Sequence, residues 1–179
     1  MYKKILISND GSPHARRATN VAIELAKAFG ASLVVLHVRM RDATPAEIGR
    51  GIDAFAGTGV RRKLAATGLA AAPIPVGGGS ENVPSAYLDI LAQHVLDYTA
   101  EKANEAGVAN VTKVLGNGRP HQVILDTARR ENVDLIVLGS RGLGMFRGIV
   151  QGSVSQRVVQ QATRSCLVVR LPDERDADH

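Results

Sequence analysis

Tryptophan is absent from the chain, and aromatic residues make up only 3% of its 179 positions. A core must therefore be built from Val, Ile, Leu and Ala, and few rings are left on which nucleic-acid bases could stack. Cysteine occurs once, at Cys166. That excludes an intramolecular disulfide framework and a cysteine-based zinc cage, and it fits a reducing, cytoplasmic compartment. No apolar run reaches the roughly 18 residues that a membrane-spanning helix requires. The start Met1-Tyr2-Lys3-Lys4 resembles the charged opening of a signal peptide, but the apolar stretch behind it stops at Asn9-Asp10, too soon for a signal core. Charge of one sign is not concentrated either. The 22 Lys and Arg against 17 Asp and Glu leave a net +5, scattered along the chain. A basic balance suits an anionic partner such as a nucleotide, whereas the scatter and the missing aromatics argue against nucleic acid.

What is present describes a soluble globular domain, with 45% hydrophobic and 22% charged residues. The length fits one domain. Lys4 to Ser8 reads as a buried strand around Ile5-Leu6-Ile7. Ser12 as N-cap and Pro13 behind it open a helix, which carries Val21, Ala22, Leu25, Ala26 and Phe29 at helical spacing and ends at Gly30. Leu33 to Val38 is a second strand. Leu88, Leu91, Val95 and Tyr98 mark a helix closed by Gly107, followed by a strand over Val111 to Leu115. A helix over Pro120 to Glu131 turns Val123, Ile124, Thr127 and Ala128 inward. Val133 to Leu138 and Cys166 to Val169 are two more strands, flanking a helix over Ser153 to Ala162 with Val154, Val158 and Val159 on one face. Continuous apolar strands alternating with helices predict a parallel sheet covered on both faces, an α/β sandwich.

The stretch of about 40–83 breaks this alternation. It holds Gly49, Gly51, Gly57 and Gly59, a capping-box start at Thr44-Pro45-Ala46-Glu47 with Ile48, Ile52 and Phe55 behind it, and a Pro/Gly-rich linker over Ala70 to Ser80. It reads as an insertion on a single domain of 1–171, with a flexible polar tail over 172–179.

The chemistry concentrates between the fourth strand and the last helix, in Gly139-Ser140-Arg141-Gly142-Leu143-Gly144 through Arg147 and Gly148 to Gly152-Ser153. Ligands of open α/β sheets bind at this edge. Glycines let the backbone approach a phosphate, and a helix start presents free N–H groups to an anion. Ser153 and Ser155 add hydroxyls, and Arg141 and Arg147 add positive charge. GxxxxGK[ST] is absent, and the loop glycines miss the GxGxxG spacing and follow the wrong strand. A P-loop kinase and a dinucleotide-binding dehydrogenase are thereby disfavoured.

Gly139, Gly142, Gly152 and Ser153 complete the pattern G-x2-G-x9-G-[ST]. With this pattern after the fourth strand, with Ile5-Leu6-Ile7-Ser8-Asn9-Asp10-Gly11-Ser12 at the start and Ser165-Cys166-Leu167-Val168-Val169-Arg170 at the end, the chain resembles the universal stress protein family of the ATP-binding type. The resemblance covers about 1–40 and 84–171. It implies a three-layer α/β/α sandwich of the adenine nucleotide alpha hydrolase-like kind, with a five-stranded parallel sheet in the order 3-2-1-4-5. It implies a cytoplasmic homodimer paired through the fifth strand, about 166–170, acting as a stress-response regulator or sensor with a protein partner still to be identified. It also implies bound ATP or AMP with Mg2+ on the phosphates. Asp10, with Gly11 and Ser12, would lie near ribose and phosphates. Val38 would meet adenine through its backbone. Gly139, Ser140, Arg141, Gly142, Gly152 and Ser153 would cradle ribose and phosphates, with Val154 and Ser155 adjacent. Asn9 departs from the small apolar residue or Val of many members, and the insertion follows the second strand, beside the expected adenine.

Several residues read more simply. Asp10 also suits a turn, and Ser153 with Gln156 spells a capping box, S-x-x-Q. Cys166 reads as a packed core thiol and His37 as a satisfied core or edge histidine. His14, His37, His94, His121 and His179 show no metal-ligand spacing, so no metal site is expected. No G-x-S-x-G elbow, dedicated base or arginine finger is legible, so no catalytic residue is assigned and turnover is at most slow ATP hydrolysis. A weak ATPase or autophosphorylating enzyme, and a nucleotide-free interaction scaffold, are the alternatives.

Overall fold

The computed structural model describes residues 1–39, 85–141 and 152–171, together with the single positions 53, 59, 62 and 66. Strands β1 (Lys4–Ser8), β2 (Ser32–Arg39), β3 (Val111–Asn117), β4 (Leu135–Gly139) and β5 (Ser165–Val169) alternate with helices α1 (Pro13–Phe29), α2 (Ser85–Glu105), α3 (Pro120–Arg130) and α4 (Ser153–Gln161). The sheet is five-stranded and parallel in the order β3-β2-β1-β4-β5, as expected. Ile5 stands beside Leu33 and Leu135, which places β1 at the centre. The expected insertion helix start and linker, Gly142, Arg147 and the tail lie outside the described residues.

Alternation along the strands divides the core in two. Ile5, Ile7, Leu33, Val35, Leu135 and Val137 pack under α1 and α2. Leu6, Val34, Leu36, Val38, Ile136 and Leu138 pack under α3 and α4. Both faces are covered, so the central strands need no polar face, and their apolar runs are continuous for that reason.

The helices sit slightly rotated from the sequence expectation. The innermost line of α1 is Ala15, Ala18, Ala22 and Ala26 with Thr19 and Ile23, while Val21, Leu25 and Phe29 flank the core. Small side chains let α1 lie close to the sheet, and the larger ones fill its margins. On α4, Val158 is fully buried, Val159 is 45% exposed, and Ser155 takes the inward place expected of an apolar residue. Ser12 caps α1, its side chain accepting from Ala15 N at 3.2 Å, and Gly30 closes the helix in the left-handed region at φ 61°. Asn132, also left-handed at φ 49°, follows α3. Asp134 precedes β4 and accepts the backbone N–H groups of Lys3 and Lys4 at 2.7 and 2.9 Å, fixing the start of β1 against β4. Those bonds favour the carboxylate and lower its pKa.

Candidate functional site

The site grows from a tight turn after β1. Asn9 is 2% exposed, and its amide nitrogen donates to Thr19 Oγ1 at 3.2 Å and Thr99 Oγ1 at 3.0 Å, joining the turn to α1 and α2. Its side-chain oxygen accepts Gly11 N at 2.8 Å. Gly11 takes φ 88°, a conformation that a side chain would oppose. Asp10 Oδ1 accepts Ser12 N at 2.9 Å, so the turn expected at Asp10 forms. His37 is buried, and its Nδ1 donates to the Asn9 carbonyl at 2.7 Å. Burial holds the imidazole below its ordinary pKa and thus neutral; the Asn9 carbonyl and Asp10 oppose this, and Arg39 adds to it. His37 is therefore a satisfied core histidine.

The end of β4 meets this turn. A side chain on Gly139 would strike Ala15 N and the His14 carbonyl carbon, both at 2.8 Å. Gly139 is thus where the first turn of α1 crosses β4 at backbone contact. Ser140 follows, 1% exposed, with its Oγ 3.0 Å from His14 Nδ1. The Arg141 carbonyl accepts Ser12 Oγ at 3.2 Å, so the residue that caps α1 also ties down the entry to the glycine loop.

Helix α4 closes the arrangement. Gly152 N donates to the Ser140 carbonyl at 2.7 Å, and Ser155 Oγ reaches the same oxygen at 3.3 Å and Gly152 O at 3.0 Å. The capping box expected of Ser153 and Gln156 does not form. Gly152 is the N-cap, no side chain among the described residues caps the helix, and Ser153 is its exposed first residue. Gly152, held through its N–H on the Ser140 carbonyl, occupies the cap position in place of Ser153. A side chain on Gly152 would press on Ser140 O at 3.1 Å.

Asp10, Gly11, Ser12, Gly139, Ser140, Arg141, Gly152 and Ser155 are thus linked through these contacts, with Ser153 and Val154 in the first turn of α4. Val38 stands at the end of β2, beside Gly116 of β3, with its side chain packed into the core under α3 and α4. Gly142 lies outside the described residues. The sequence reading missed His14, for which the only signal was its place in the first helical turn after Ser12-Pro13. Cys166 is half-buried on β5 rather than sealed in the core, because β5 lies at the end of the sheet. Burial nevertheless raises its thiol pKa and keeps it protonated, which suits packing rather than nucleophilic attack. Among the described residues no group of three His, Cys, Asp or Glu side chains could hold a metal ion, and no helix is long and apolar enough to cross a membrane.

Comparison with known proteins gives this arrangement a lineage. A relative from Thermus aquaticus, the universal stress protein in the QAH/OAS sulfhydrylase 3' region, is 34% identical over 170 residues, covering 95% of this chain and all of the relative. The solved universal stress protein UspA from Lactobacillus plantarum superposes with a TM-score of 0.66 at 26% identity, covering 94% of this chain and 98% of its own. A universal stress protein solved in complex with cAMP shares the fold with a TM-score of 0.58 at 21% identity, covering 94% of this chain and 97% of its own. The sequence model of the Universal stress protein family matches residues 1–170, and the chain belongs to that family.

Proposed function

We propose that this protein binds an adenine nucleotide, ATP or AMP, at the C-terminal edge of the sheet, and that it serves as a cytoplasmic, dimeric stress-response regulator whose state follows the nucleotide. The observation that carries the reading is the convergence on Ser140. The first turn of α1 lies against its side chain, and the start of α4 hangs from its carbonyl. Among the described residues no side chain caps α4, so its first-turn N–H groups and positive dipole end suit an anion. The exposed Ser153 hydroxyl stands beside them. Gly139, Gly142, Gly152 and Ser153 would line the ribose and phosphates, Asp10 would approach the ribose, and the Val38 backbone at the end of β2 would meet the adenine. A magnesium ion would ride on the phosphates, a mode it commonly adopts. The cAMP-bound relative supports an adenine ligand for this fold.

The second copy is supported by β5. This strand ends the sheet, and Cys166, Leu167 and Val168 are only half-buried on it. A terminal strand offers unpaired backbone groups to a partner. Light scattering coupled to size exclusion tests this, with twice the chain mass expected and a monomer counting against it.

Acid denaturation of freshly purified protein, chromatography of the released small molecules, and calorimetry with ATP and magnesium test the ligand. Released adenine nucleotide or a micromolar titration supports the reading. Absence of both refutes it and favours a nucleotide-free interaction module.

A further inference from the structure

We propose that His14 is a phosphate-contacting residue of this site and that it takes up a proton as the phosphate binds. The inference rests on the nucleotide reading above and names a contact that the glycine motif does not contain. His14 lies in the first turn of α1, half-buried, at the backbone crossing with Gly139. Its Nδ1 is held by Ser140 Oγ at 3.0 Å, and among the described residues its Nε2 makes no hydrogen bond. One ring nitrogen is thus anchored to the residue on which α4 hangs, and the other is left to meet a ligand.

The charges around the ring explain why it would respond to an anion. Desolvation is the largest influence on His14 and disfavours the imidazolium. Arg141, from the end of β4, acts in the same direction, and Asp10, from the turn before α1, opposes both. The start of α1 adds the positive end of a helix dipole, and α4 contributes the uncharged Ser153 and Ser155 in its first turn. The free site therefore holds a neutral imidazole beside the Arg141 guanidinium and the positive end of α1, with Asp10 as the opposing charge. A phosphate placed there reverses the local sign, offsets Arg141, and favours the protonated ring with both nitrogens donating, one to Ser140 Oγ and one to the ligand. Linkage then requires nucleotide affinity to rise as pH falls between the bound-state and free-state pKa values of His14. The limit is about tenfold per pH unit for one proton.

Calorimetry of ATP with magnesium, in two buffers of different ionisation enthalpy, counts the protons taken up. His14→Asn keeps an amide that can bond Ser140 Oγ and removes the titration. His14→Gln is a second variant, and circular dichroism verifies the folding of both. Adenosine is the phosphate-free probe. Proton uptake should accompany ATP in the wild type, fall in both variants by the His14 share, and be absent with adenosine. Protons taken up by ATP itself remain in all three proteins and cancel in the difference. If the variants bind ATP with the wild-type proton count and pH dependence, the inference is overturned and the nucleotide reading stands. If the wild type binds no adenine nucleotide at any pH, both fall together.

Discussion

Replacing Gly139 by alanine separates what the glycine motif does for the fold from what it does for a ligand. The new methyl group would lie 2.8 Å from Ala15 N and the His14 carbonyl carbon, and 3.0 Å from His14 Cβ. Comfortable carbon contacts are about 3.5–4.0 Å, so α1 and β4 must separate by a large fraction of an ångström. The closest two of these atoms are main chain and cannot rotate aside. Helix α1 is also held close by Ala18 and Ala22 in the core and by Ser12 Oγ on Arg141 O at 3.2 Å. Overpacking of this kind costs about 1–3 kcal/mol. Alanine restricts the unfolded chain and offsets about 0.4–1 kcal/mol of that. The net loss centres on about 1 kcal/mol, or a Tm lower by about 2–4 °C for a domain of this size. Urea unfolding followed by circular dichroism, without nucleotide, measures it. Gly152→Ala is the comparison, because its nearest contacts are 3.1 Å and 3.4 Å and a small shift relieves them. A wild-type midpoint for Gly139→Ala would refute the packing argument and leave Gly139 a ligand glycine alone.

Asn9→Ala should cost about 1–3 kcal/mol, because it strands Gly11 N–H and removes the shared partner of the Thr19 and Thr99 hydroxyls; urea midpoints test this, and a loss under about 0.5 kcal/mol would deny the network a structural role. Burial keeps the His37 pKa below its ordinary 6.5, so the unfolded chain protonates before the fold does. The His37 contribution is fully present above that value and is lost as pH falls from it towards the folded-state value; His14 acts in the same direction. Urea midpoints at about pH 7.5 and 5.5 should fall more steeply for the wild type than for His37→Gln, and parallel curves would contradict this. Gly142→Val should abolish nucleotide binding in a folded protein by filling the space the phosphates need, and unchanged affinity by calorimetry would remove Gly142 from the site.

The architecture was legible because its strands are continuously apolar and its helix ends carry strong signals. Ser12-Pro13 opens α1 and Gly30 closes it where the spacing placed them. Where sequence reading slipped, the cause was orientation in three dimensions. Periodicity placed Ala22 and Ala26 inward on α1 but could not tell that Ala15 and Ala18 join them while Val21, Leu25 and Phe29 flank the core, because the close contact of the first turn of α1 with Gly139 comes from another strand. Nor can it tell that Ser155 rather than Val159 faces in, because the Ser140 carbonyl that attracts Ser155 Oγ comes from another strand. Asn9 stood out as a departure from the family, but its partners Thr19 and Thr99 lie 10 and 90 positions away. His14 was invisible for the same reason, its partner Ser140 being 126 positions distant.

These distances change what the glycine motif means. Gly139 admits the first turn of α1, and Gly152 lets α4 start against the Ser140 carbonyl. Both requirements exist in the ligand-free fold: Gly139 would be needed in a protein of this architecture that bound nothing, and Gly152 would be favoured there, its contacts being relieved by a small shift. The motif is evidence for a ligand only through the positions that the fold does not need. Ser153 is one of them: it is exposed, it caps nothing, and its hydroxyl would be dispensable to the helix if no anion visited it. Ser153→Ala should therefore leave stability unchanged to within about 0.5 kcal/mol, while weakening nucleotide binding by the value of a hydrogen bond to a charged acceptor, about 1.5–3 kcal/mol, or roughly ten- to more than a hundredfold in affinity. Equal binding by Ser153→Ala and the wild type would confine the motif to its architectural role. A fall in affinity at constant urea midpoint would assign Ser153 to the ligand and leave Gly139 and Gly152 to the fold.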